Sequence, residues 1–381
     1  MNKTRDQIQN EALDVALNND RCTLAISMGV GKTYIGLQHM NKIWKPNSKF
    51  LVVAPKKSII QTWRDEADKF DMAHLLPSIT FTTYLSLVKQ ETGIWDCIYL
   101  DECHSLLYSH EFFLLSHHNK ILGLTGTPPT NTHSEKGKMV DRFCPVKYTF
   151  DVEAAAQNKI LNDYKIVVHM LELSNYRNLP KTKKNGGVWY TSEIDQYQFW
   201  SDKVNNAISQ KEKQIASVMR MKAMQEFPSK ETYAKQLIRK VADKCIVFAN
   251  TQQQADRLCT HSYHSTNPDS EDNLQMFKDN QIINLSCVLQ LNEGVSIPNL
   301  KSGIILHAYG NNRKAAQRIG RLLRLNPDDV ATCHILCYGD TVDYQWVRAA
   351  LNSFNKDKVL SFNTKTKTYK KFYEHVDSET S

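Results

Sequence analysis

Residues that can bind and cleave phosphates occur in three short segments of this 381-residue chain. The first, SMGVGKT, follows an apolar run and precedes a helical pattern, which is the strand, loop and helix order of a phosphate-binding loop. Lys32 would supply charge to the β and γ phosphates, and Thr33 would offer a hydroxyl to Mg2+. Ile26 stands where the strict motif has its first glycine. The predicted loop comprises Met28, Gly29, Val30, Gly31, Lys32 and Thr33.

The second segment, WDCIYLDECH, ends an apolar run with the two acids Asp101 and Glu102. Adjacent carboxylates can divide two tasks, and here Asp101 would hold Mg2+ through its water shell while Glu102 orients and activates a water. Such a pair after a strand is often only a helix cap. Its place downstream of GKT favours the catalytic interpretation.

The third segment, QRIGRLLR, carries Arg321 and Arg324 three residues apart, which places them on one face of a helix. A guanidinium beside a γ phosphate stabilises the charge that develops during phosphoryl transfer. Arginines on helices are more often plain surface residues, so this segment alone does not decide between the two interpretations.

Short apolar runs separated by helical stretches indicate the strands that must position these residues. Continuous runs of this length are typical of strands covered on both faces, and the pattern predicts an α/β protein with two consecutive units. Asn178 to Gly187 is expected to be a loop, Ser192 to Lys240 a helical region interrupted at Pro228, and Asn363 to Ser381 a loosely held tail. The expected strands are Thr23 to Ser27, Phe50 to Ala54, Cys97 to Leu100, Ile121 to Leu124, Ile166 to Leu173, Cys245 to Ala249, Cys287 to Leu291, Gly303 to His307 and Cys333 to Tyr338.

Positive charge is concentrated in one segment of the chain. The formal net charge is +8, from 48 Lys and Arg against 40 Asp and Glu, and the segment from Tyr176 to Lys240 holds 13 of the former and 6 of the latter, a net +7. A basic segment of this kind suits a polyanion, although a solvated helix face explains the charge equally well.

The remaining composition restricts where the protein works. No run approaches the length of a membrane span, and the first residues lack the apolar core of a signal peptide, so we expect an intracellular, cytoplasmic protein, or one in the host cytoplasm if the chain is viral. The nine cysteines contain no CxxC pair, which favours reduced thiols over disulfides or a zinc cluster.

Taken in order, the motifs resemble those of the superfamily 2 helicases and translocases. They are SMGVGKT, VVAPKKSIIQTW, TTYLSL, DECH, LTGTPPTN, IVFANT, LNEGVSIP and QRIGRLLR, and the resemblance extends over about residues 5 to 350. The chain is most similar in pattern to Snf2-like translocases and small bacteriophage branch-migration helicases. The resemblance implies two RecA-like domains with parallel sheets, residues 1–160 and 161–381, with ATP and Mg2+ in a cleft between them.

The resemblance also implies roles for single residues. Arg321 and Arg324 would be the arginine fingers, and Gln317 would contact the phosphates or the water. An amino-terminal glutamine would contact adenine, and TRDQIQNEAL offers either Gln7 or Gln9, of which Gln9 has the better spacing. DECH differs from the commoner DEAH by Cys103, and the residues that would couple the nucleotide site to the rest of the motor are His104, Thr125, Gly126 and Thr127.

Nucleic-acid contacts are implied at strand ends, where small polar groups hold phosphates without reading sequence. These residues are Lys56, Thr83, Asn250, Thr251 and Asn292, to which the basic segment adds Lys181, Lys183 and Lys184. For Trp63, Trp95 and Trp189 we expect packing in the core or between the lobes rather than stacking on bases.

The function implied is that of an ATP-dependent helicase or translocase, with DNA favoured over RNA by the Snf2-like pattern. Three alternatives remain: a duplex translocase that does not separate strands, an RNA helicase, and a nucleotide-gated clamp or motor part of a larger assembly with a protein partner that supplies specificity. A strand-splitting wedge would distinguish the first, and the sequence shows no evident hairpin insertion.

Overall fold

The computed structural model describes residues 2–27, 29–129, 131–182, 185–288, 297–307, 329–352 and 354–373. They form two compact units, the first reaching Asp163 and the second containing most of the chain from Tyr164 onward. Within the described ranges, no helix combines the length and the apolar content that crossing a membrane requires.

The first unit is built on a six-stranded sheet in the order β3-β2-β4-β5-β1-β6, with every strand parallel to its neighbours. Its strands are β1 Arg21–Ile26, β2 Phe50–Ala54, β3 Ile79–Thr83, β4 Cys97–Asp101, β5 Lys120–Thr125 and β6 Val146–Phe150. Its helices are α1 Arg5–Leu17, α2 Lys32–Ile43, α3 Lys57–Lys69, α4 Glu111–Leu115, α5 Glu135–Phe143 and α6 Val152–Gln157.

The central strands of this sheet are the runs that the sequence predicts. All residues of β2 and β4 are buried, which explains their unbroken apolar character. The sequence prediction missed β3 and β6, the two edge strands. Both are only partly buried and mix polar with apolar residues, so neither forms a continuous apolar run.

The second unit contains an eight-stranded sheet in the order β11-β12-β10-β13-β14-β7-β15-β16 and a separate hairpin of β8 with β9. Its strands are β7 Asp163–Leu171, β8 Leu179–Thr182, β9 Val188–Thr191, β10 Cys245–Ala249, β11 Ser262–Tyr263, β12 Asn284–Val288, β13 Ser302–Ile305, β14 Val330–Tyr338, β15 Val359–Asn363 and β16 Thr368–Lys371. Its helices are α7 Glu193–Asn205, α8 Gln210–Glu226, α9 Pro228–Lys240, α10 Gln252–Leu258, α11 Ser270–Lys278 and α12 Val342–Ala350.

The prediction of a long helical region before β10 is confirmed. Pro228 occupies the first turn of α9, where its missing N–H costs nothing, and therefore separates α9 from α8. A second break precedes α8, where Ser209 and Glu212 form a capping box. Strand β12 begins three residues before the predicted Cys287, because the polar residues Asn284 and Ser286 belong to it.

Two loop predictions for the second unit are wrong. Part of the expected loop from Asn178 to Gly187 is strand β8, which pairs with β9 in an antiparallel hairpin. The expected loose tail is ordered as far as the described residues extend. Strand β15 pairs parallel to β7 and antiparallel to β16, and aromatic residues replace the missing aliphatic ones: Phe372 is 2% exposed, and the rings of Phe362 and Tyr369 lie 4.7 Å apart.

Candidate active site

The phosphate-binding loop joins β1 to α2. Gly29 and Gly31 have φ of 89° and 105°, a left-handed conformation that favours glycine. Gly31 precedes the first turn of α2, and no side chain caps that turn, so its amides are suited to an anion. Lys32 and Thr33 are the first two residues of the helix. Val30, a residue of the loop, is fully buried, and Met28 lies outside the described residues.

Of the two candidate glutamines, only Gln9 has a hydrogen bond to the described residues of the loop. Its Nε2 donates to the Val30 carbonyl oxygen at 2.7 Å. A Cβ placed on Gly31 would lie 2.7 Å from the same nitrogen, so Gly31 also makes room for this contact. Gln7 instead forms a capping box with Thr4 at the start of α1. The geometry therefore separates two candidates that the sequence leaves open.

Asp101 is the last residue of β4 and is held by two aromatic side chains. It is 7% exposed, its Oδ2 accepts a hydrogen bond from Trp63 Nε1 at 2.8 Å, and its carbonyl oxygen accepts one from the Tyr84 hydroxyl at 2.9 Å. Sequence reasoning placed Trp63 in a packing role, and it is indeed fully buried. Its hydrogen bond to Asp101 was missed.

Glu102 has a left-handed backbone, with φ 50° and ψ 55°. This conformation is costly for a residue other than glycine, and such strain is concentrated at functional sites. Its Oε2 accepts a hydrogen bond from the Thr125 hydroxyl at 3.0 Å. The turn therefore directs the carboxylate toward the end of the neighbouring strand β5.

Thr125 connects Glu102 to His104. The Nδ1 of His104 lies 2.8 Å from Thr125 Oγ1 and 3.2 Å from Glu102 Oε2. The single hydroxyl proton of Thr125 goes to the carboxylate, so His104 must carry a proton on Nδ1 to complete the network. The Thr127 amide also donates to Thr125 Oγ1, at 3.1 Å. Three of the predicted coupling residues therefore meet at one hydroxyl group, with Gly126 between two of them in the chain.

Cys103 is buried against the strand that carries Thr125. A Cβ on Gly123 would lie 3.1 Å from Cys103 Sγ and 2.2 Å from Thr23 Oγ1. Cys103 therefore packs directly on Gly123, and these contacts leave no room for a side chain at position 123.

The parallel sheet brings the motifs together because the carboxyl ends of its strands lie along one edge. In spatial order, that edge carries Thr83 at the end of β3, Lys56 after β2, the acidic pair at the end of β4, the Thr125 turn at the end of β5 and the phosphate loop after β1. Lys56 is exposed and Thr83 is half-buried. Both therefore lie on the side of the acidic pair that faces away from the phosphate loop.

In the second unit, Asn250 and Thr251 follow β10, at the carboxyl edge of its sheet. The Thr251 side chain caps α10 by accepting from the Gln254 amide at 3.1 Å, and the Asn250 amide donates to Gln254 Oε1 at 2.9 Å. These contacts give both residues a structural task. Asn292, Gln317, Arg321, Arg324, Lys183 and Lys184 lie outside the described residues, while Lys181 is half-buried in β8.

The expected burial is found for two of the three tryptophans. Trp63 is fully buried and Trp95 is 5% exposed, whereas Trp189 is 47% exposed. Core packing is therefore wrong for Trp189. The reason is that β9 belongs to the small hairpin and not to the main sheet.

Two sequence families match the chain, one in each half. Residues 2–130 match the family described as "Type III restriction enzyme, res subunit", and residues 209–326 match the "Helicase conserved C-terminal domain". The chain belongs to superfamily 2 of the helicases and translocases. The resemblance inferred from the ordered motifs is thereby confirmed. As a superfamily 2 member, the protein is an ATP-hydrolysing enzyme that binds nucleic acid.

Similar proteins support this assignment. The "DNA 3'-5' translocase XPB2" of Sulfurisphaera tokodaii is 26% identical over 370 residues, which cover 89% of this chain and 83% of the relative. The Type ISP restriction-modification enzyme LlaBIII bound to DNA has a TM-score of 0.61 at 15% identity; the match covers 93% of this chain but 30% of LlaBIII. Dbp5 of S. cerevisiae, bound to RNA and ADP BeF3, has a TM-score of 0.55 at 14% identity, covering 94% of this chain and 90% of Dbp5. At these identities, the two structures show a shared fold.

Proposed function

We propose that this superfamily 2 enzyme is a motor that moves on DNA. The observation that carries the proposal is the 26% identity over 370 residues with a relative described as a DNA 3'-5' translocase. The net charge of +7 between Tyr176 and Lys240 supports a polyanionic substrate. The relative also supports movement toward the 5' end of the strand that is tracked.

The phosphates of ATP are proposed to lie over the first turn of α2. Lys32 supplies charge to the β and γ phosphates, and the amides after Gly31 donate to their oxygens. The Thr33 hydroxyl and the Asp101 carboxylate are oxygen donors of the kind that Mg2+ prefers, and the Trp63 indole orients the carboxylate. A bound Mg2+ neutralises charge on the phosphates. Gln9, held at the Val30 carbonyl, is the residue proposed to contact adenine.

Glu102 is proposed to activate the attacking water. It lies beside Asp101 in sequence, and the Thr125 hydroxyl fixes one of its oxygens, so its carboxylate is already oriented before ATP arrives. Because His104 and Thr127 share the same hydroxyl, a shift of the Thr125 turn changes the hydrogen bonding of the carboxylate. This gives the 125–127 turn a physical means of coupling hydrolysis to bound nucleic acid.

The remaining site residues are proposed on their motifs. Arg321 and Arg324 would stabilise charge on the γ phosphate, and Gln317 would contact the phosphates or the water. The DNA backbone would be held at Lys56, Thr83, Asn250, Thr251 and Asn292, together with Lys181, Lys183 and Lys184. A protein partner would supply further specificity.

ATP turnover measured with different nucleic acids tests the proposal. We expect a low basal rate that rises at least about tenfold with DNA, and less with RNA of the same sequence and length, since binding energy is converted into transition-state stabilisation. Single-stranded DNA, duplex DNA and a four-way junction distinguish the preferred form. Stimulation by RNA alone would refute the choice of substrate.

A further inference from the structure

A cavity of about 580 Å³ lies in the second unit between the β8–β9 hairpin and the helices α7 and α8. This volume falls within the range of small-molecule pockets. We call it the aromatic pocket and define it by Trp189, Phe199 and Trp200, together with Arg177, Lys181 and Lys222. None of these residues belongs to the motifs that carry ATP hydrolysis.

Local periodicity brings these side chains to one place. In the hairpin, Lys181 is directly opposite Trp189, so both project from the same face. On α7, Gln196 is followed by Phe199 and Trp200 at spacings of three and four residues, which is one helix face. On α8, Lys222 follows Met219 by three residues, so these two side chains also lie on one helix face. Three separate elements therefore contribute to one cavity.

Buried polar contacts hold the start of α7 in place. The Glu193 side chain is fully buried and accepts from the Ser174 amide at 2.9 Å, the Ser229 amide at 2.9 Å and the Ser229 hydroxyl at 2.7 Å. Arg177, just before β8, lies 3.5 Å from Asp195 of α7. Helix α7, which carries Phe199 and Trp200, is therefore fixed by contacts to the segment between β7 and β8 and to the start of α9.

Four of the large hydrophobic side chains that line this cavity are exposed: Trp189, Tyr190, Phe199 and Met219. Of the 22 large hydrophobic side chains exposed in the described residues, ten lie between Tyr176 and Met219. Trp189 is 47% exposed and Phe199 is 52% exposed, while Phe199 packs edge to face on Trp200 at a ring distance of 5.1 Å. Clustered exposure of this kind marks a binding surface.

We propose that the aromatic pocket binds an unpaired nucleotide of DNA, an inference that rests on the proposed function and assigns a site to it. Planar bases stack on aromatic rings, and Arg177, Lys181 and Lys222 are placed to meet the adjoining phosphates. Asp195 and Glu226, which also line the cavity, can accept from N–H groups of a base. A paired base is already stacked in its duplex and cannot enter a concave cavity. The pocket therefore binds single strands in preference to duplex.

Substitution of Trp189 tests this site by fluorescence anisotropy. The full chain is titrated into fluorescein-labelled oligo-dT and into a blunt hairpin duplex of equal length. Trp189→Ala is expected to raise the single-strand Kd about tenfold, the loss of about 1.4 kcal/mol of stacking, and to change the duplex Kd less than about twofold. Trp189→Phe should recover most of the loss because it retains a ring.

Val188→Ala is the matched control. Val188 is 58% exposed on the same strand but is paired with Thr182 on the opposite face of the hairpin. It should bind both oligonucleotides as the unsubstituted protein does. Equal losses on single strand and duplex in Trp189→Ala would overturn the pocket in favour of a general electrostatic surface. Unchanged DNA binding, with loss of a co-purifying protein, would assign the pocket to a protein partner instead.

Photocrosslinking provides a second readout that needs no variant. An oligonucleotide carrying 5-iododeoxyuridine is irradiated with the unsubstituted protein, and crosslinked peptides are identified by mass spectrometry. We expect crosslinks at Trp189, Phe199 or Trp200, and crosslinks confined to the first unit would contradict the inference.

If the unsubstituted protein binds DNA and its ATPase is stimulated while Trp189→Ala behaves normally, only the pocket fails. Absence of any DNA binding would refute the proposed function as well.

Discussion

The carboxyl ends of strands β1 to β5 carry the motifs of the first unit and form its motif edge. This motif edge and the aromatic pocket of the second unit differ in how they hold their side chains. At the motif edge, Asp101 and His104 are 7% and 8% exposed, and each has a defined hydrogen-bond partner. In the pocket, Trp189 and Phe199 are about half exposed and contribute ring faces. Phosphoryl transfer requires fixed atoms, whereas stacking requires only accessible rings. One kind of site therefore leaves a sequence motif, and the other does not.

The largest effect should come from the motif edge. Lys32→Ala removes the positive charge proposed to contact the β and γ phosphates, and Glu102→Gln removes the proposed base while preserving shape, so each should reduce ATP turnover more than about a hundredfold. Glu102→Gln should still bind ATP in a nucleotide-binding assay. Lys42→Ala, an exposed lysine at the other end of α2, serves as control. Near-normal turnover in either active-site variant would remove the catalytic assignment.

Trp63→Phe should show that the motif edge depends on a buried donor. The substitution retains a ring but deletes the N–H that binds Asp101. Loss of such a supporting contact typically weakens metal binding about 10- to 100-fold, so the Mg2+ concentration for half-maximal ATPase should rise by at least about tenfold. In Trp95→Phe the lost donor contacts only the Glu91 carbonyl, and its Mg2+ requirement should not change. Equal behaviour of the two variants would mean that Trp63 only fills space.

Charge in the basic segment from Tyr176 to Lys240 should act through the salt dependence of DNA binding. Replacing Lys181, Lys183 and Lys184 together with Gln should remove up to about three phosphate contacts. Each lost contact should make the slope of log K against log salt shallower by roughly 0.7 to 0.9. The matched triple substitution of Lys365, Lys367 and Lys370, which removes equal charge around the β15–β16 turn, should leave the slope unchanged. A slope unaffected in the first triple variant would assign those lysines to solvation alone.

The smallest effect concerns stability against acid. Burial lowers the pKa of His169 to about 3 and of His334 to about 4, and His169 Nε2 lies 2.9 Å from His334 Nδ1. A histidine in the unfolded chain has a pKa of about 6.5, so as the pH falls the unfolded state takes up protons before the folded state does. The contribution of the pair to the free energy of unfolding is therefore complete above that pH and declines as the pH falls toward 4. Melting temperatures measured from pH 7 to pH 4 should decrease.

His334→Gln should make this decline shallower because it removes one of the two groups that must stay neutral. His74→Gln, at an exposed histidine, should follow the unsubstituted protein. Identical pH dependence in all three proteins would contradict the role of the buried pair.

The same contrast explains which features could be predicted from the sequence. The buried strands β2 and β4 have continuous apolar runs, and the motifs at their ends require particular residues, so both were predictable. Edge strands β3 and β6 lack such runs. The contact of Trp63 with Asp101 joins residues that are 38 positions apart, which no local pattern reveals. The hairpin was missed because its lysines and glycine resemble a loop, and its separation from the main sheet left Trp189 exposed.

Displacement of a DNA third strand by the full chain tests the account most directly. A triplex-forming oligonucleotide is released only when a motor moves through the duplex beneath it. We predict release by the unsubstituted protein that requires ATP and is absent in Glu102→Gln. If DNA stimulates ATP hydrolysis but the third strand remains bound, hydrolysis does not drive movement along the DNA, and the proposal of a motor that moves on DNA is contradicted.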